Sequence, residues 1–278
     1  MANRINLRDS FNAISDVVTN RPRPLRIFDQ IFMKTADMLL QADHVGEFFD
    51  GKNVVCIGDG DAIGLCLVHL HNQKLLEKGP RSLHVLDFDE RVVLSVRSFA
   101  KKYNIEERVT SELYNVAEPM SEENWQKFDA FYTNPPFGAS NDGRSVQAFV
   151  QRGIEAIGDN GLGCVVLADD KEVEWCQAVL RNVQRSVIED GFVIHSLMPA
   201  FHLYHLDDDP GLRSCSLMIQ RVEASPQIYT SCELSAEVRK DFYGDGKNLR
   251  IRYVRDATEG GLNESRDHTL DYYNGDER

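Results

Sequence analysis

The stretch that most constrains the fold is Val54-Val55-Cys56-Ile57, followed at once by Gly58-Asp59-Gly60-Asp61-Ala62-Ile63-Gly64. A run of mostly branched apolar residues stops at a glycine-rich, acidic turn, and a second apolar run over 65–70 follows. That order predicts strand, tight turn and helix, the way a doubly wound α/β domain opens a nucleotide site. The glycines at 58, 60 and 64 permit a sharp turn and leave room for a ligand. A pyrophosphate pocket at a helix N-terminus avoids carboxylates. Asp59 and Asp61 therefore point to a cationic ligand, such as a nucleoside carrying an amine and a sulfonium. A glycine-rich turn alone equally describes an ordinary strand–helix connection, so the rest of the chain has to decide.

Further strands are predicted over 83–89, 109–113, 128–133, 163–168, 192–197 and 215–221, with helices over 34–49, 91–103, 145–158 and 171–188. In the helix over 145–158, Val146, Phe149, Val150, Ile154 and Ile157 fall on one face. Strands alternating with helices predict a parallel sheet covered on both faces. The last two strands have no helix between them, which predicts an antiparallel edge. This is the layout of class I methyltransferases and their aminopropyltransferase relatives: an α/β, Rossmann-like, seven-stranded, mostly parallel sheet with helices on both faces. The expected organisation is a lead-in and helix over 1–50, a catalytic domain over 51–222 and a polar extension over 223–278. Residues 1–24 read as a polar lead-in ending in an extended Arg-Pro-Arg-Pro linker. A strand is expected over 249–254, and 256–278 as a mobile tail.

The formal charge of −13 disfavours a nucleic-acid substrate, because phosphate binding needs a basic surface. It suits cationic small molecules. Six cysteines, at 56, 66, 164, 176, 215 and 232, show no CxxC spacing, and most lie in apolar runs. They read as reduced core residues with no metal. No apolar run has membrane-spanning length and 1–20 lacks a signal-peptide core, so a cytoplasmic protein is expected. A homodimer remains open.

In such a sheet, ligands collect at the C-terminal ends of the central strands. Gly58, Asp59, Gly60 and Asp61 land there. So do Asp87 and Asp89, either of which can accept ribose hydroxyls, with Asp89 the first choice. Asn115, just past the third strand, can pair with an adenine amino group, or be a plain loop asparagine. Asn134-Pro135-Pro136-Phe137 is the most specific signal. Two prolines stiffen the backbone and remove two donors. The Asn134 side-chain oxygen and the Pro135 carbonyl can then grip an N–H-bearing nitrogen and aim its lone pair. Phe137 offers a flat face for a planar substrate or a cation. Tyr204 and Asp207 sit in a polar, acidic loop between the last two strands, where substrate sites are often lined.

With these residues in place, the chain resembles the branched-chain polyamine synthase family, N4-bis(aminopropyl)spermidine synthase, from about Phe28 to about Arg221. Phe28-Asp29-Gln30 resembles the family's aromatic-Asp-Gln motif, which implies that Phe28 and Asp29 contact substrate. Gly58-Asp59-Gly60-Asp61 resembles its acidic glycine turn, and Leu86-Asp87-Phe88-Asp89-Glu90-Arg91 its second-strand motif. Phe128-Asp129 through Pro136, Ala148-Phe149 and Arg152-Gly153-Ile154 resemble its fourth-strand region and next helix. The resemblance implies transfer of aminopropyl groups from decarboxylated S-adenosylmethionine to polyamine nitrogens. It also implies an additional N-terminal domain that 278 residues do not accommodate.

One departure is chemical. The family carries Asp-Pro-Pro where this chain has Asn134-Pro135-Pro136, and Asn-Pro-Pro-Phe resembles motif IV of methyltransferases acting on adenine or glutamine nitrogens. An alkylamine is mostly ammonium at neutral pH, with a lysine-like pKa near about 10. A carboxylate that accepts its proton is needed before attack. Asparagine cannot serve, whereas a planar nitrogen needs no such base. For an alkylamine, Asp59, Asp61 and Asp169 are the candidate bases. The reading is a nitrogen-alkylating transferase with an adenosyl-sulfonium co-substrate, aminopropyltransferase-like, acting on a cationic amine. The alternatives are an S-adenosylmethionine-dependent N-methyltransferase and an inactive nucleoside-binding homologue.

Overall fold

The computed structural model describes residues 6–207, 209–223, 230–258 and 267–273. Its frame is β1 (Asn53–Ile57), β2 (Ser82–Asp87), β3 (Val109–Leu113), β4 (Phe128–Thr133), β5 (Ile157–Ala168), β6 (Phe192–Leu203) and β7 (Arg213–Arg221). These form one sheet in the order β3-β2-β1-β4-β5-β7-β6. The pairs from β3 across to β5 are parallel. β7 inserts antiparallel between β5 and β6, the expected mixed edge. Val54, Val55, Cys56 and Ile57 are all buried, because β1 is covered on both faces and has no polar side to alternate with. The chain runs outward from β1 to β3 and returns to the other side of β1 as β4. The crevice beyond the strand ends between β1 and β4 is therefore the topological switch point.

Helices α1 (Leu7–Asn20), α2 (Thr35–Phe48), α3 (Ile63–Asn72) and α4 (Glu90–Lys102) cover one face. Their core includes Ile14, Met38, Leu39, Leu67, Leu70 and Phe99. On the other face α5 (Arg144–Ala156) and α6 (Glu174–Glu189) bury Val146, Phe149, Ile154, Val179 and Val183 against Phe131 and Phe192. The lead-in is less polar in space than in sequence. In α1, Ser10, Ala13, Ile14 and Val17 share a buried helical stripe. Among the described residues, no helix is long and apolar enough to cross a membrane.

The C-terminal extension is the main correction. Phe242, Tyr243, Leu249, Ile251 and Val254 are buried in the second core. β8 (Ile251–Asp256), matching the strand expected over 249–254, pairs antiparallel with β9 (His268–Tyr272), which lies inside the segment expected to be mobile. The remainder of that tail, 259–266 and 274–278, lies outside the described residues. β8 also docks on the sheet: Val254 N donates to the Phe88 carbonyl at 3.1 Å. Arg91 fastens the same corner. Its guanidinium bonds Asp89 at 2.6 and 3.0 Å, Asp267 at 2.9 Å and the Arg23 carbonyl at 3.3 Å.

Candidate active site

A cleft with about 680 Å³ of empty space opens at the switch point. Its lining comes from the glycine turn after β1, the end of β2, the Asn-Pro-Pro-Phe segment after β4, residues 28–32, Tyr204 and Tyr243.

In the glycine turn the two aspartates divide their work. The Asp59 carboxylate accepts the N–H groups of Ile63 at 2.9 Å and Gly64 at 3.0 Å, closing the first turn of α3. Gly64 has no room for a side chain: a Cβ there would lie 2.9 Å from Asp59 Oδ2, Cys56 Sγ and Leu83 Cδ1. Asp61 instead lines the cleft. Its Oδ1 accepts Met33 N at 2.8 Å and its Oδ2 accepts Asn134 Nδ2 at 2.8 Å. Burial pushes the Asp61 carboxyl up to about 6, against the pull of the Arg21 guanidinium 3.6 Å away. Gly58, at φ +71°, lies over the Phe149 ring. Gly60 is open: a Cβ there would meet nothing within 4 Å.

At the end of β2 the division is reversed. Asp87 lines the cleft, and its oxygens accept Asp59 N at 3.0 Å and Asp89 N at 2.9 Å. Burial and neighbouring Asp89 push it up to about 7. Asp89 is wholly buried, caps α4 by accepting Arg91 N at 3.0 Å, and carries the paired Arg91 guanidinium. It is not in the cleft lining, so the first choice for a ribose ligand at this strand end is corrected to Asp87.

After β4, Asn134, Pro135, Pro136 and Phe137 all line the cleft. Because Nδ2 of Asn134 is held by Asp61, its Oδ1 is left as an acceptor. Phe137 meets the Tyr204 ring edge-on, with centroids 5.9 Å apart. Phe28 and Asp29 also line the cleft. Asp29 sits at φ 58°, and burial raises its carboxyl, opposed by Arg26, Lys247 and the Phe137 N–H.

Three other expectations change. Asn115 Nδ2 donates to the carbonyls of Ile251 at 3.1 Å and Arg252 at 2.6 Å, and its Oδ1 accepts Ala117 N. Its amide clamps β8 and is not free for a base. Asp207 is exposed and outside the lining. Asp59 and Asp169 fall away as bases, since Asp59 closes α3 and Asp169 accepts Ala200 N at 2.6 Å. Sequence reasoning missed Tyr243, whose ring meets Phe28 with centroids 5.3 Å apart. The signal was Phe242-Tyr243, an aromatic pair in an otherwise polar extension. Phe88 and Phe149 were also missed as lining residues. A small hollow adjoins the cleft, sharing Gly58, Phe88, Phe149 and Tyr243 with it and reaching Leu86, Tyr114, Asn115 and Val116, so Asn115 stands at its edge with its amide spent on β8.

The arrangement can seat a flat ring among Phe88, Phe149 and Tyr243, hold hydroxyls at Asp87, and accept N–H groups at Asp61 and Asn134. Among the described residues, no Lys, Arg or His lines the cleft, while three carboxylates do.

Comparison with known proteins agrees with this layout. The chain is 30% identical over 186 residues to the N(4)-bis(aminopropyl)spermidine synthase of Thermus thermophilus, covering 66% of this chain and 50% of that protein. It is 27% identical over 208 residues to the enzyme of the same name from Methanocaldococcus jannaschii, covering 72% of this chain and 54% of that one. It thus spans about half the length of these relatives. The Thermus thermophilus branched-chain polyamine synthase, crystallised with N4-aminopropylspermidine and 5'-methylthioadenosine, superposes with a TM-score of 0.71 at 22% identity, over 85% of this chain and 70% of that one. A putative RNA methyltransferase from Pyrococcus horikoshii has the same class I fold, with a TM-score of 0.56 at 14% identity, over 78% of this chain and all of that one. The family model for the branched-chain polyamine synthase A C-terminal domain matches residues 9–268, and the chain belongs to that family.

Proposed function

We propose that this chain alkylates an amine nitrogen with an adenosyl-sulfonium donor, transferring an aminopropyl group from decarboxylated S-adenosylmethionine to a polyamine. The observation that carries the reading is Asp61 hydrogen-bonded to Asn134 in a cleft whose described lining carries carboxylates and no basic side chain. The adenine sits against Phe88, Phe149 and Tyr243, the ribose hydroxyls bond Asp87, and the sulfonium lies over the glycine turn. The acceptor ammonium is held by Asn134 Oδ1 and the Pro135 carbonyl, and Asp61 takes its proton. A carboxyl raised to about 6 is ionised at neutral pH yet basic enough to do so. The freed lone pair attacks the carbon on sulfur, the carbon–sulfur bond breaks with its electron pair left on sulfur, and methylthioadenosine leaves neutral. Asp61 thus supplies the carboxylate that residue 134 lacks.

Donor choice follows from charge. The α-carboxylate of S-adenosylmethionine would enter beside Asp61 and meet no cation in the lining. Asn134-Pro135-Pro136-Phe137 favours a second reading, N-methyl transfer to a planar nitrogen, in which no base is needed. Turnover with each donor, with spermidine and an amide offered in turn and products identified by mass spectrometry, separates the two. The expected result is aminopropyl transfer to spermidine, reduced about 10²–10⁴-fold in Asp61→Asn. Methyl transfer by a fully active Asp61→Asn overturns the proposal.

A further inference from the structure

Behind the inner wall of the cleft runs a buried polar chain that the reaction above does not use. Gln41, His202 and Ser214 have no exposed surface, and Tyr204, at 2% exposed, carries the chain to the cleft. His202 Nε2 lies 2.8 Å from Gln41 Oε1, and His202 Nδ1 lies 2.7 Å from Ser214 Oγ. Ser214 Oγ lies 2.7 Å from the Tyr204 hydroxyl, and Tyr204 shares the cleft lining with Asn134, whose amide donates to Asp61.

We propose that Gln41, His202 and Ser214 are positioning residues that fix the direction of these hydrogen bonds, so that the Tyr204 hydroxyl keeps its proton turned to Ser214 and presents its oxygen as an acceptor in the cleft wall alongside Asn134 Oδ1. The direction follows link by link. Gln41 Nε2 is turned to Ser216 Oγ at 3.2 Å and Cys164 Sγ at 3.7 Å, which leaves its carbonyl for His202. His202 Nε2 must then carry the proton, and Nδ1 is a bare acceptor. Burial holds His202 neutral, down at about 3, so Nδ1 stays bare. Ser214 donates to it, and Tyr204 donates to Ser214. The phenolic proton points away from the cleft, and its oxygen is left as an acceptor in the lining. In the same lining only an N–H of Asn134 can face the Asp61 carboxylate, so Asn134 Oδ1 is an acceptor too.

The inference deepens the function proposed above, because a wall of fixed acceptors selects a nitrogen rich in N–H donors. Its first test needs no turnover. A long-range ¹H–¹⁵N spectrum of histidine-labelled protein, with the His202 signal assigned by its loss in His202→Gln, should show the Nε2–H tautomer at neutral pH. The Nδ1–H tautomer overturns the proposal. The second test is a cycle of Ser214→Ala, Tyr204→Phe and the double variant. Either single change should raise KM for spermidine about tenfold, with kcat within about twofold, and the double variant should be no worse than Tyr204→Phe. Additive penalties in the cycle overturn the proposal. A protein with the expected tautomer that transfers to no amine would sink the function reading alone.

Discussion

The turn after β1 and the turn after β2 carry the same acidic pattern, Asp-x-Asp, and use it in opposite order. In the first, Asp59 closes a helix and Asp61 faces the cleft. In the second, Asp87 faces the cleft and Asp89 closes a helix. The two turns are tied together, since Asp87 accepts the Asp59 N–H. Titration does not separate the pairs: Asp59 accepts two backbone N–H groups of α3, yet burial beside Asp61 and Asp87 raises its carboxyl well above the ordinary value, just as burial raises Asp61 and Asp87. What separates them is where the oxygens are spent: Asp59 and Asp89 bond the first turns of α3 and α4, while Asp61 and Asp87 line the cleft. The same residue type thus yields a helix anchor at one position and a cleft-lining group two residues away.

The sharpest way to break this comparison is Asp89→Ala. It leaves the Arg91 guanidinium without its buried partner, which costs about 3–5 kcal/mol in folding stability. Urea unfolding should show that loss, with donor affinity near the parent's once the variant is folded. A variant of parental stability would mean that Asp89 is not an anchor. Asp87→Ala should do the reverse. It should lose about 1.5–3 kcal/mol of donor affinity by calorimetry, the worth of charge-assisted hydrogen bonds to ribose. Equal affinity for parent and variant would remove Asp87 from the site.

A pH series reads these buried acids directly. Asp61, at about 6, and Asp87, at about 7, both stand above the ordinary carboxylate value, and Asp59 between them is raised as well. Between the unfolded value and these, the free fold holds more protons than the unfolded chain. Their contribution to stability is therefore full below the unfolded pKa and is lost as pH rises through 6 to 7. A cationic donor reverses this by favouring the ionised acids. Donor affinity should fall between pH 8 and pH 5.5, on the order of tenfold, with protons released on binding. Neutral methylthioadenosine should change less. Asp87→Asn should flatten the free protein's melting temperature across that range; an unchanged slope would assign the titration elsewhere.

Much of this was legible in the chain. The parallel sheet and its antiparallel edge follow from the alternation of strands and helices and from the lack of a helix between the last two strands, and the acids after β1 and β2 fall at the strand ends as expected. What sequence could not divide was the labour within each Asp-x-Asp pair, because the choice rests on turn geometry and, for Asp89, on Arg91 being held in turn by Asp267. Asn115 was misjudged for a similar reason. Its partners, Ile251 and Arg252, lie over 130 residues away in a segment read as polar extension. The Gln41–His202–Ser214 chain is long-range in the same way, whereas Tyr243 left a local trace in the Phe242-Tyr243 pair.

The smallest expected effect tests the glycine turn itself. Gly64 and Gly60 look alike in sequence, but a side chain at 64 would strike three atoms at 2.9 Å, while one at 60 would enter open space. Gly60 has no left-handed backbone to defend either, since its φ lies outside the positive region. Gly60→Ala should therefore fold as well as the parent, within about 0.5 kcal/mol. Its methyl group would stand in the cleft lining, where the donor is expected to approach the backbone closely. Donor affinity should drop a few-fold while the melting temperature holds. Loss of stability with parental affinity would show that the open turn serves the fold and not the ligand.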